Sequence, residues 1–154
     1  MQSSTLQPDE RIRVMQILTL AMAAGVVMFG VVAVLVVGAL NEPPDGQLIS
    51  LLGLAFAGLA FVLHLIVPGI IANQNVVADG ETDWYAVLQV RTIIGLALLE
   101  GAAFFNLVAC ILEHNWWSLA VAGGLVFWML ARFPTTTGVE QWIATQKLEQ
   151  DAQR

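Results

Sequence analysis

Four long apolar runs, residues 14–40, 48–71, 92–112 and 116–133, dominate this 154-residue chain. Each is close to or beyond the length an α-helix needs to cross the hydrocarbon core of a bilayer. Hydrophobic residues make up 58% of the chain and charged residues 12%, about half the usual globular share of charge, so no soluble domain could cover this apolar surface. The pattern predicts an all-α fold: an integral membrane bundle of four transmembrane helices. Residues 1–13 precede it and residues 134–154 form a tail. The first run reaches about 40 Å as a helix. It is too long for the core of a cleaved signal, although Arg11 and Arg13 stand before it.

Local signals place the element ends. In residues 41–46 two prolines stop the first helix, and Asp45–Gly46 is expected to reverse the chain. Asp83 is placed to cap a helix that begins at Trp84 and leads into the third run. Thr137 and Glu140 have capping-box spacing. Val139, Trp142 and Ile143 share one face of the helix that would follow, so the tail reads either as a short helix on the inner leaflet or as a frayed polar end.

The basic residues set the orientation. Arg11 and Arg13 precede the first span, Arg91 lies in the second loop, and Arg132, Lys147 and Arg154 lie at or after the end of the fourth. All fall on one side of a four-span topology, which is then the cytoplasmic side. Both termini are expected inside, in a bacterial cytoplasmic (inner) membrane. Trp116 and Trp117 suit the outer interface, Trp84 and Tyr85 the inner one.

A net charge of −6 without a basic patch speaks against nucleic acid as a partner. Cys110 is the single cysteine, so no intrachain disulfide can form. His64 and His114 lie fifty positions apart without metal-ligand spacing. No phosphate-binding glycine loop or nucleophile elbow is present. The chain therefore reads as non-enzymatic, with neither cofactor nor metal.

Against this apolar background Glu100 stands out, because ionisable residues inside a span are costly and mark ion pathways, proton sites or helix contacts. Holding its carboxyl protonated at pH 7 costs about 3.7 kcal/mol. Burying the ion unpaired costs more, so an unpaired Glu100 is expected to carry its proton. His64 matches it in depth to within about one helical turn and is a candidate proton-sharing partner. The plainer alternatives are a Glu100 that hydrogen-bonds helices together and a His64 bonded to a backbone carbonyl. Pro68 lacks the N–H that would engage the His64 carbonyl. Asn106, about 120° around the helix from Glu100, is expected to bond a different helix. The pairs Gly53/Ala57 and Ala97/Gly101 have the spacing that lets helix backbones approach closely.

The segment GLALLEGAAFFNLVA, residues 95–109, resembles the carboxylate helix of the proteolipid (c) subunit of rotary ATP synthases. Glu100 follows a Gly- and Ala-rich approach, Phe105 lies five residues on, and Leu107–Val108 follow. Residues 52–60, LGLAFAGLA, resemble that family's small-residue inner helix. The chain departs from the pattern in its long acidic cytoplasmic loop, in its first and fourth spans, and in Asn106, which stands where the family has a small residue. The chain as a whole is similar to uncharacterised bacterial four-span proteins with an ALxEGxAxF-type helix. The proteolipid resemblance implies that Glu100 is a reversible proton or cation ligand. One carboxyl is too little for a complete pathway, so the expected partners are the lipid bilayer and either further copies of the chain or other membrane subunits. The reading is a multi-pass protein in which Glu100, with His64, serves proton or cation coupling or ion-sensitive assembly. The alternative is a structural or accessory subunit.

Overall fold

A computed structural model describes residues 7–74 and 83–152. The acidic loop at residues 75–82 and Arg154, on which part of the expected topology rests, lie outside these residues. Among the described residues the fold is helical: α1 (Pro8–Val31) running into a π-helical turn (Val32–Val36), α2 (Leu48–Gln74), α3 (Trp84–Glu113), α4 (Trp116–Ala131) and α5 (Thr136–Ala152). Three helices are long and apolar enough to cross a membrane. The count reaches four if α4 and α5, which meet at 70°, are taken as one broken span. Alone, α4 has 16 residues, about 24 Å of helix, which is shorter than a typical hydrocarbon core of about 30 Å.

The first helix differs from its expected bounds at both ends. It begins before residue 14 because Pro8 is pre-organised for the first helical position and Glu10 reaches back to the Gln7 amide at 3.2 Å. It ends at Val36 rather than residue 40 because Gly38 takes φ +73°, a left-handed conformation that stops helices. The Asn41 amide donates to the Gly38 carbonyl at 2.8 Å. The tight turn is therefore at Gly38–Asn41, ahead of Asp45–Gly46. At the tail, the Thr135 hydroxyl accepts from the Gly138 amide at 3.2 Å. Thr135, at the position before α5, thus replaces the expected Thr137–Glu140 box.

The hub of the bundle is α3. It packs against α1, α2 and α4, whereas among the described residues the backbones of α1 and α2 do not approach each other. Half of its apolar window is buried, against 22% for α1 and for α2. The core joins Leu99, Ala103 and Leu107 of α3 to Ala23 and Val26 of α1, Ala57 and Ala60 of α2, and Leu125 and Met129 of α4. Alanine recurs in it because without a hydrophobic drive between lipid-embedded helices, close backbone approach and van der Waals contact hold them together. Outward, α1 and α2 show Ile17, Met28, Leu51 and Ile66, all half or more exposed, a surface suited to acyl chains. A second cluster docks α5 on the bundle end: Val139 and Ile143 bury against Ile12 and Met15, with Trp84, Tyr85 and Trp142 around them.

Candidate functional site

Glu100 lies on the side of α3 that meets α1. Its carboxylate is 3.9 Å from the point a Cβ on Gly25 would occupy. A methyl at Gly25 would sit in ordinary van der Waals contact with it. The carboxyl is partly exposed and has no hydrogen-bond partner among the described residues.

His64 faces another side of α3. Its Nδ1 lies 3.0 Å from the Gly95 carbonyl, and since a carbonyl only accepts, Nδ1 carries the hydrogen. Gly95 is required for this approach, because a Cβ there would fall 2.8 Å from His64 Nδ1. Five residues separate Gly95 from Glu100, which turns the two about 140° apart on the helix. His64 thus meets α3 about 7.5 Å along the helix from Glu100 and on another side of it, and no hydrogen bond joins the two among the described residues.

Asn106, fully buried, shares the Gly95 side of α3. Its amide donates to Gly53 of α2 at 3.0 Å and to Ala102 of its own helix at 2.9 Å. Gly53 makes room for it, since a Cβ there would lie 3.0 Å from Asn106 Oδ1. Gly53 and Ala57 therefore face the α2–α3 contact. Ala97 and Gly101 behave differently: both are exposed, and a Cβ at Gly101 would meet nothing within 4 Å. Among the described residues, no other helix covers the small-residue pair beside Glu100 at Gly101.

At the other end of α3 lies a polar knot that sequence reasoning missed. Glu113, 6% exposed, accepts from the amides of Ile49 and Ser50 at 2.7 Å each. It thereby caps the start of α2, where free N–H groups and the helix dipole favour an anion. Asn115 donates to the Gly46 carbonyl and to Ser50 Oγ. His114, at φ 54°, places Nδ1 3.0 Å from the Ala39 carbonyl. The sequence held one signal for this arrangement: Gln47, just before α2, is not a capping residue, so the cap had to come from elsewhere.

At the basic end, Arg11 meets Asp83 at 2.7 Å, and Asp83 Oδ1 caps α3 through the amides of Tyr85 and Ala86. Burial pushes the Asp83 carboxyl up, but Arg11 and the two amides together outweigh it and hold the group below its usual value. Nearby, a cavity of about 350 Å³ is lined by His64, Arg91, Arg132, Thr135 and Trp142, among others. Arg91 lies over the Trp142 ring at 6.0 Å and Arg132 over Trp128 at 5.2 Å. Among the described residues neither guanidinium has a carboxylate partner. Nor, among them, do three His, Cys, Asp or Glu side chains converge as a metal site. No family model, curated protein or solved structure matches this chain.

Proposed function

We propose that this is a non-enzymatic four-span protein of a bacterial inner membrane, with both termini cytoplasmic. Glu100 is a proton- or cation-sensitive contact to a second copy or another membrane subunit. The observation that carries the reading is the Glu100 carboxyl itself, unpartnered at the edge of the bundle beside the exposed Ala97 and Gly101. A helix from outside the chain could approach closely there, and its fit would depend on whether the carboxyl holds a proton. The orientation is supported by the Arg11–Asp83 bridge and the docking of α5 on Ile12, which gather the basic residues of α1, α3, α4 and α5 at one end.

The accessory reading draws support from His64 and Asn106, whose hydrogen bonds to α3 and α2 backbones are helix-to-helix contacts. Glu100→Gln decides between them. Reaction with a hydrophobic carbodiimide and the assembly state in detergent are followed across pH. The ion-sensitive reading expects labelling at Glu100 in the wild type and a pH-dependent assembly that Glu100→Gln abolishes. Assembly that responds to pH identically in both proteins overturns it.

A further inference from the structure

We propose that the cavity between α2, α3 and the α4–α5 bend binds a phosphate-type anion, and that the anion is the headgroup of an anionic lipid of the leaflet facing α5. The proposal goes beyond the role given to Glu100 and does not depend on it. The chain has twelve acidic residues and six basic ones, so a lone guanidinium should readily find a carboxylate. Yet Arg91 and Arg132 line one cavity that, among the described residues, no acidic side chain lines. Arg91 lies over the Trp142 ring and Arg132 over the Trp128 ring, and each guanidinium is a planar fork of donors suited to paired phosphate oxygens.

A third donor comes from Thr135. Its hydroxyl oxygen is occupied by the Gly138 amide, leaving the hydroxyl hydrogen free to donate. The remaining wall is largely apolar, with Leu65, Pro68 and Leu88 among its residues, as an amphiphile's glycerol and upper chain would require. About 350 Å³ is at the small end of ligand sites: it accommodates a headgroup and leaves the acyl chains in the bilayer. The roof, α5, is fixed at a 70° bend from α4, and Gln16 of α1 donates to the Pro134 carbonyl at 2.9 Å, so the cleft is built before any ligand arrives.

The test uses the purified full chain in a neutral detergent. Unfolding is read by a thiol-reactive dye at Cys110, which is fully buried in the fold. Phosphatidylglycerol, phosphatidylcholine and inorganic phosphate are titrated separately into the wild type, Arg91→Gln, Arg132→Gln, Glu100→Gln and the exposed control Arg13→Gln. The proposal expects phosphatidylglycerol alone to raise the midpoint. It expects affinity to fall roughly tenfold or more for each cleft arginine removed, and to stay unchanged in Arg13→Gln and Glu100→Gln. Equal stabilisation by phosphatidylcholine overturns it, as does unchanged affinity in both cleft variants. Equal stabilisation by inorganic phosphate overturns the lipid source. Should the cleft variants not fold, native mass spectrometry of the wild type decides: preferential retention of phosphatidylglycerol over phosphatidylcholine supports the proposal, and equal retention overturns it.

Discussion

Gly95→Ala tests the α2–α3 seam at its tightest point. The new methyl would lie 2.8 Å from His64 Nδ1 and 3.0 Å from its Cε1, so the imidazole must move and its bond to the Gly95 carbonyl must lengthen. Overpacking of this kind costs about 1–3 kcal/mol. An interhelical hydrogen bond inside a membrane protein adds about 0.6 kcal/mol, at most about 1.7. Replacing a mid-helix glycine by alanine returns about 1 kcal/mol. The net loss expected is about 2 kcal/mol. In a His64→Ala background the obstruction is gone and the same substitution should gain about 1 kcal/mol, so the double-mutant cycle should show a coupling near 3 kcal/mol. Reversible unfolding in mixed micelles of the four proteins measures it. A coupling within about 0.5 kcal/mol of zero would refute the placement of His64 against Gly95 and reopen a partnership with Glu100.

The other predictions touch separate parts of the bundle. Glu113→Ala frees the Ile49 and Ser50 amides and should lower the unfolding midpoint more than the exposed control Glu42→Ala; faster amide exchange at Ile49 and Ser50 gives the direct readout, and equal midpoints would contradict the capping role. Asp83 has a folded pKa below its ordinary value, so its contribution is fully present above an unfolded pKa of about 3.9 and is lost as pH falls through the lower folded value. The Arg11–Asp83 pair is partly exposed, which limits it to about 0.2–1 kcal/mol, and Asp83→Asn should lower the neutral plateau by about that much and flatten the acid limb of stability; an acid limb as steep as the wild type's would contradict this. Gly101→Leu, in open space, should leave monomer stability unchanged or raise it by up to about 1 kcal/mol yet block the proposed assembly, which cross-linking in native membranes would reveal.

The helices and most of their ends were legible because they depend on neighbours along the chain. Apolar run length gave the candidate spans, Asp83 is close enough to Trp84 to act as its cap, and Pro134 ends α4 wherever it lies in space. Misplaced ends had local causes too: Gly38 was read as part of an apolar run although its freedom at positive φ decides where α1 stops. Counting at a fixed rise per residue put Glu100 and His64 within about one turn of each other, but His64 meets α3 at Gly95, five residues before Glu100. Their directions could not be counted at all. Which side of α3 faces which helix is settled by all the packing contacts together, and that choice turned His64 to Gly95 and Glu100 to Gly25. For the same reason Glu113, an acid at the end of a span, became the cap of a helix more than sixty positions earlier, and Arg91 and Arg132 came to share one cavity. Length, composition and capping act through adjacent residues and belong to the chain itself, whereas azimuth and long-range pairing exist only once three helices have closed around a fourth.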